Sequence, residues 1–513
     1  MSELDRRSSS IAAGLQGMGI GPGKRIGLLV RFGEDFIALV FAVLKTGATL
    51  VLIDPGMGRR NLIQCLSETQ PDGFIAIPVA HAILGFFASK FPNAKLNVTA
   101  GRKWIGLPSP TLAQLEKCSA SDLSRPHIAL DDPAAIIFTT GSTGPPKGVL
   151  YTHRTFNAQI DQVAEHYQIA PGGKDLSCFP LFGLFNAVMG TTTVLPDMNP
   201  IRPADVDPRR LLDAIDQWQI NQSFGSPALW TKVGGYCQNL GRKVNSLRLV
   251  LSAGAPVPAR VLKQMRDAMH PDGCMHTPYG ATEALPIASI ESRTVLQEIS
   301  EQTRQGAGTC VGARFSGIQW RVIEISDGPI SQFGDAKILP TGTIGELMVS
   351  GSVISREYVT RRDQNAIHKV ADGDRVWHRM GDVGYIDAQD RFWFCGRKTH
   401  RVITEFETLH TETIEAIVNT HPAVYRSALV GTGDRHSQKP AVIVEPWPAS
   451  SNGSRLSNEQ LENQVVELLS TNPRSRMVQR AIVYPKKLPT DIRHNSKIYR
   501  EKLTDWANRK LGE

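Results

Sequence analysis

Aromatic residues make up 7% of the 513-residue chain, cysteine is scarcer still, and long apolar runs are missing. The seven cysteines are scattered and contain no Cys-x-x-Cys pair. That excludes a disulfide framework and a structural zinc site, and fits thiols in a reducing compartment. Residues 26–30 and 36–44 are the kind of apolar run present, too short to span a bilayer and better read as a core strand and a core helix. A leader with a charged head and a small-residue cleavage site is also lacking, so a cytoplasmic location and no transmembrane segment are expected. Nor does one sign of charge dominate. With 57 basic and 49 acidic residues the net charge is +8, spread without a Lys/Arg block. This favours a mildly basic enzyme of anionic substrates over a nucleic-acid binder. Internal repeats are absent, and the Ser/Pro/Gly patch at 446–455 reads as a surface loop.

What is there begins with length and a hydrophobic content of 41%, enough for two or more globular domains. The chain is organised around Thr139-Thr140-Gly141-Ser142-Thr143-Gly144-Pro145-Pro146-Lys147-Gly148. It follows an apolar run, 134–138, that reads as a buried strand. The glycines let backbone amides turn toward an anion, and the hydroxyls and Lys147 add donors and positive charge. This is the chemistry of a triphosphate cradle, although the Gly-Lys-Ser/Thr order of a Walker A loop is missing. A bare loop of this composition is more often a plain turn. Lys147 and the motifs downstream reverse that expectation.

Upstream, the pattern predicts a helix over 4–16, a strand over 25–30, a helix over 35–47 and a strand over 48–53. That is a βαβ unit in a mostly parallel sheet. Downstream, a helix is expected over 151–167. Phe179, Phe182, Gly183 and Phe185, followed by Asn186, could line a tunnel for an acyl chain or form ordinary aromatic core. Asp207-Pro208 opens a helix with Leu211, Leu212, Ile215 and Trp218 as its buried stripe. Tyr279-Gly280-Ala281-Thr282-Glu283 supplies a ring to stack on a purine, a hydroxyl for an α-phosphate and a carboxylate for Mg²⁺, a hard cation that prefers such oxygens. In Met380-Gly381-Asp382, Asp382 offers two oxygens to a pair of ribose hydroxyls.

These motifs, in this order, resemble those of the acyl-adenylate-forming, AMP-binding enzymes: acyl-CoA synthetases, luciferases and the adenylation domains of peptide synthetases. The resemblance implies an α/β fold. A large N-terminal domain of mostly parallel sheets with helices and a β-barrel-like part would carry the AMP-binding function over 1–397. A small mobile α+β lid would follow over 398–513. It further implies ATP and Mg²⁺, with Lys147, Thr143 and the loop amides on the β- and γ-phosphates. Adenine would lie against Gly254-Ala255-Pro256 and Tyr279. Thr282 would reach the α-phosphate, Glu283 the metal, and Asp382 and Arg397 the ribose. Phe182, Phe185, Asn186, Phe224 and Ser226 would border the acyl pocket. Lys497 takes the place of the lysine that reaches the carboxylate and the α-phosphate.

The sequence also departs from the common pattern. No histidine occurs in 178–186. Ser496 stands where a glycine usually precedes the lysine, after Asp491-Ile492-Arg493-His494-Asn495. An ungapped match places Phe406 where coenzyme A ligases have a glycine lining the thiol channel. With Asp54-Pro55-Gly56-Met57-Gly58-Arg59 and Phe224-Gly225-Ser226-Pro227-Ala228, these features resemble one branch, the β-lactone synthetases of long-chain olefin biosynthesis. That branch implies a 2-alkyl-3-hydroxy fatty acid as substrate and association with other enzymes of the pathway. An acyl-CoA or acyl-carrier-protein ligase, or a nucleotide-binding scaffold without catalysis, remains the alternative. His378, His400 and His494 are of the right type to deprotonate a hydroxyl, and none is assigned.

Overall fold

The structure, a computed structural model, describes residues 2–102, 106–108, 110–139, 145–448, 456–491 and 497–512. Its contacts gather into two compact units. The first comprises Met1–Ile201, Gly280–Pro286 and Gly351–Lys369. The second comprises Arg202–Tyr279, Ile287–Ser350 and Val370–Glu513. This division is a different cut from one at 397/398. The architecture is mixed α/β, as the motifs lead one to expect. Among the described residues no helix is long and apolar enough to cross a membrane.

The first unit holds a six-stranded sheet of β1 (Arg25–Leu29), β2 (Thr49–Leu52), β3 (Gly73–Ala76), β4 (Val98–Thr99), β5 (Pro133–Phe138) and β6 (Gly148–Thr152). The order is β4-β3-β1-β2-β5-β6, parallel except for the antiparallel β5–β6 edge. Strand β2 is buried at every position, as a parallel strand covered on both faces must be. The crossover helix Glu34–Lys45 buries Phe36, Ile37, Leu39, Val40 and Val43. Each such side chain contributes about 1.5–3 kcal/mol of burial. Its end matches the expectation, with Gly47 at φ +76°.

One boundary differs. The helix expected to start at 151 starts at His153, because residues 148–152 continue as β6, zipped antiparallel to β5. Thr152 then caps the helix, its side chain accepting from the Thr155 N–H. In the second unit the helix Pro208–Trp218 is capped by Asp207 and buries Leu211, Leu212 and Ile215 as expected. Trp218, expected in that stripe, is 50% exposed. It closes the helix just before Gln219 turns left-handed, so its ring leaves the packed face.

The second unit pairs parallel strands Gln222–Gly225, Leu249–Ser252 and Cys274–Ala281. Its antiparallel strands include Thr309–Arg314, Gln319–Ile323, Gly345–Ser350, Arg375–Ile386 and Arg391–Arg397. Residues 402–511 carry apolar clusters of their own around a three-stranded sheet. Helices Thr411–Val418, Asn458–Thr471 and Arg500–Leu511 flank it.

Candidate functional site

In the first unit the phosphate-type loop leaves β5 at Thr139 and enters β6 after Lys147. Its neck is closed by a reciprocal pair: the Thr139 N–H donates to the Lys147 carbonyl at 3.0 Å, and the Lys147 N–H donates to Thr139 Oγ1 at 3.0 Å. Thr140, Gly141, Ser142, Thr143 and Gly144 lie outside the described residues. Lys147 Nζ lies 3.3 Å from His368 Nε2 and 4.9 Å from the centre of the Tyr358 ring.

The Thr282–Glu283 turn is held from several elements. Tyr151 donates its hydroxyl to the Thr282 carbonyl at 2.6 Å, and Gln159 donates to the Leu285 carbonyl at 2.9 Å. The Ser355 N–H donates to the Glu283 carbonyl at 2.9 Å, and the Tyr358 hydroxyl to Glu283 Oε1 at 2.6 Å. Gly280 has to be glycine, since a Cβ would meet the Ala284 oxygen at 2.6 Å.

Glu283 is buried. Burial alone would raise its pKa, but the Tyr358 hydroxyl and the charges of Lys147 and Lys369 outweigh it and hold the carboxyl below its usual range. Lys369 Nζ lies 5.3 Å from the centre of the same Tyr358 ring and donates to the Ser355 carbonyl. Burial, opposed by Glu283 and reinforced by Lys147, pushes its pKa down to about 7. The donor set suits Mg²⁺ better than a metal caged by protein. Among the described residues no three His, Cys, Asp or Glu side chains gather to hold an ion. One ionised carboxylate, hydrogen-bonded by Tyr358 at Oε1, can offer Oε2 to a cation otherwise ligated by phosphate and water.

An aromatic series leads away from this turn. Ring centres are 5.2 Å apart for Tyr151–Phe156, 6.5 Å for Phe156–Phe185 and 6.1 Å for Phe185–Phe182. Phe182 is buried and Phe185 half-buried. Asn186 is fully buried, and its amide donates to Asp175 Oδ2 at 2.7 Å and Ser177 Oγ at 3.0 Å. It braces the helix Pro180–Val188 that carries the phenylalanines.

In the second unit, Asp382 and Arg397 are register partners on adjacent strands. Arg397 Nη1 donates to Asp382 Oδ1 at 2.5 Å and to the Met380 carbonyl at 3.2 Å. The Tyr279 hydroxyl donates to Asp382 Oδ2. Burial, and then the Asp382 charge, push the Tyr279 phenol well above its ordinary value, so it stays a donor. Its ring sits 6.0 Å from Phe392 and 6.5 Å from Phe394. Gly254 has φ +100°, turning the chain after strand Leu249–Ser252 into Ala255-Pro256, with Gly254 and Pro256 exposed. Phe224 and Ser226 are half-buried, and Ser226 caps the helix Pro227–Leu240.

Lys497 is tied back to Asp491. Its N–H donates to Asp491 Oδ1 at 2.9 Å, and Thr490 bridges Ile498. Ile492, Arg493, His494, Asn495 and Ser496 lie outside the described residues. Phe406 is 82% exposed in the turn joining strands Val402–Ile403 and Thr408–Leu409. His378 is buried. His400 lies 3.6 Å from Glu501, with burial holding its pKa low.

Sequence reasoning missed Tyr151, Ser355, Tyr358, His368 and Lys369. Nothing local marks them, because their role depends on contacts such as Tyr358–Glu283 across 75 residues.

A family model described as AMP-binding enzyme matches residues 1–359. The olefin beta-lactone synthetase of Xanthomonas campestris pv. campestris is 44% identical over 99% of this chain and 90% of its own length. That of Stenotrophomonas maltophilia is 44% identical over 99% of this chain and 91% of its own length. Among solved structures, ATP-bound MatB from Rhodopseudomonas palustris superimposes with a TM-score of 0.79 at 20% identity, covering 100% of this chain and 94% of MatB, a likeness of fold.

Proposed function

The chain belongs to the AMP-binding enzyme family, and from that premise we propose that it is an ATP-dependent, AMP-forming β-lactone synthetase acting on a 2-alkyl-3-hydroxy fatty acid. The Lys147–Tyr358–Glu283 cluster carries the first step. It gathers a lysine ammonium, a phenol and an ionised carboxylate at the two motifs expected to handle triphosphate and Mg²⁺. The likeness over nearly the whole chain to two olefin β-lactone synthetases supports the second step.

In the first step the substrate carboxylate attacks the α-phosphorus of ATP and expels pyrophosphate. Lys147, Thr139 and the loop from Thr140 to Gly144 hold the β- and γ-phosphates. Thr282 donates to the α-phosphate, and Lys497 adds positive charge where negative charge develops. Glu283 is the residue that would hold Mg²⁺, whose chemistry is to neutralise phosphate charge. Asp382 and Arg397 take the ribose. Gly254, Ala255, Pro256 and Tyr279 take the adenine, with Gly280 and Ala281 carrying the chain from one contact to the next. The acyl chain lies toward Phe182, Phe185, Phe224 and Ser226, with Asn186 bracing the wall.

In the second step the substrate's own 3-hydroxyl attacks the acyl carbon. The C–O bond to AMP breaks, the hydroxyl proton leaves, and a four-membered lactone forms. Intramolecular attack in good geometry is worth roughly 7–11 kcal/mol. Ring strain offsets much of that, so the adenylate leaving group is needed. Within this reading residues 398–513 act as a lid after the 1–397 domain, the protein works in the cytoplasm, and enzymes of the same pathway deliver the acid and take the lactone.

The test is product analysis by mass spectrometry after incubation with ATP, Mg²⁺ and a 2-alkyl-3-hydroxy acid, with and without coenzyme A. The expected products are β-lactone, AMP and pyrophosphate, with coenzyme A neither consumed nor stimulatory. The same acid without its hydroxyl should give no lactone. An acyl-CoA thioester as main product would overturn the lactone reading in favour of a ligase.

A further inference from the structure

Glu283 is expected to hold a metal, yet what fixes its carboxylate is a closed circuit through residues no motif announces. Lys369 Nζ donates to the Ser355 carbonyl. Ser355 donates its N–H to the Glu283 carbonyl at 2.9 Å and its hydroxyl to the Glu357 carbonyl at 3.0 Å. The next residue, Tyr358, donates to Glu283 Oε1 at 2.6 Å, and its ring centre is 5.3 Å from Lys369 Nζ. The 355–358 segment thus holds both the main chain and the side chain of Glu283, and Lys369 contacts that segment at both ends.

Lys147 Nζ lies 4.9 Å from the centre of the same ring and 3.3 Å from His368 Nε2. A lysine drawn to phosphate oxygens would leave this ring. Lys369, bonded to a main-chain carbonyl, would stay. We propose that Lys369 is a positioning residue of the adenylating site, anchoring the Ser355–Tyr358 segment so that the Glu283 carboxylate stays aimed at the divalent cation when Lys147 engages nucleotide. The proposal rests on the adenylation reading given above. Residues that orient a metal ligand without touching the metal typically contribute 10–100-fold to metal affinity.

The experiment compares Lys369→Met, Lys369→Arg and Tyr358→Phe with the wild type in two measurements. Pyrophosphate release is followed against Mg²⁺ at saturating ATP and hydroxy acid. Mn²⁺ binding in the presence of a non-hydrolysable ATP analogue is followed by electron paramagnetic resonance, which needs no turnover. K369M should raise both the half-saturating Mg²⁺ and the Mn²⁺ dissociation constant about tenfold. KM for the acid should stay within about twofold, and K369R should recover most of the loss. Y358F should shift the same two constants in the same direction. A folded K369M with both metal constants within about twofold of wild type overturns the proposal. So does a uniform loss in every kinetic constant with a lowered melting temperature, which is the mark of a purely structural lysine. If the wild type releases no pyrophosphate with any hydroxy acid, the adenylation reading fails, while the Mn²⁺ titration still decides the role of Lys369.

Discussion

Asp382 has both oxygens engaged, one by Arg397 at 2.5 Å and the other by the Tyr279 hydroxyl. Tyr279 therefore does more than present a ring to a purine, which is all its sequence context suggests. It orients the carboxylate that we propose accepts the ribose hydroxyls. A hydrogen bond to a charged group is worth about 1.5–3 kcal/mol. Tyr279→Phe keeps the ring among Phe392 and Phe394 and removes only that bond, so KM for ATP should rise roughly tenfold or more with a smaller change in kcat. Pyrophosphate release titrated with ATP measures both, and an unchanged KM would mean that Arg397 alone suffices. At this scale the sequence points to candidates where they are packed into consecutive residues: Tyr279, Thr282 and Glu283 fall at the end of strand Cys274–Ala281 and in the turn after it, and Asp382 lies on strand Arg375–Ile386. It was silent on Tyr358, Ser355 and Lys369, because a phenol or an ammonium acquires its meaning only when a distant strand end is folded against it.

Elements were legible where periodicity and caps agreed, as in Glu34–Lys45 and in Pro208–Trp218 behind Asp207. They were misread where tertiary pairing overrode a local pattern. Residues 148–152 join β5 as an edge strand, a choice set by a partner and not by propensity. The strand Arg375–Ile386 also hides a cluster that no pattern shows: Arg379, fully buried, pairs with fully buried Glu346 at 2.6 Å, and Lys398 lies 3.0 Å from the same carboxylate. Arg379 also donates to the Gly328 carbonyl at 2.7 Å. Removing one partner of a buried pair leaves an under-compensated charge and costs about 3–5 kcal/mol. Arg379→Met should lower the urea midpoint accordingly, and the double variant with Glu346→Leu should recover part of the loss. A midpoint unmoved by R379M would show that Lys398 balances Glu346 unaided. Lys497 calls for a different readout. If that lysine stabilises charge at the α-phosphate, Lys497→Ala should abolish pyrophosphate release while ATP binding, measured calorimetrically, stays within about threefold. Near-normal release would assign the work to another group.

For the whole molecule, composition and motif order were enough to give the mixed α/β architecture and the family. The interleaving of the compact units was not legible. Residues 280–286 and 351–369 pack with the first 201 residues, an outcome of long-range pairing such as the bridges Val149–Tyr358 and Ala284–Ile354. The same packing sets the response of the fold to acid. His81 and His153 in the first unit and His400 and His410 in the second are all held below the ordinary histidine value, with burial as the first cause. His410 is the extreme case. Burial, with repulsion from Arg401, brings it to about 4. In the unfolded chain the ring binds its proton near pH 6.5, so between about 6.5 and 4 the unfolded state holds more protons and stability falls as the pH drops. Glu415 acts in the opposite sense. Its burial, opposed by Arg500, raises it to about 7, so its folded form gains protons first as the pH falls from 7 toward 4.5. The net acid curve of the wild type therefore mixes two signs, and a substitution is needed to isolate one. His410 occupies the N-cap of helix Thr411–Val418 without a side-chain capping bond, so His410→Gln gives up no cap. Melting temperatures of the two proteins should lie close together at pH 7.5. The variant should become the more stable by several degrees at pH 5, where only the wild type carries the cost of a proton excluded from a half-buried ring. A difference that does not change between those pH values would show that His410 titrates alike in the folded and unfolded chain.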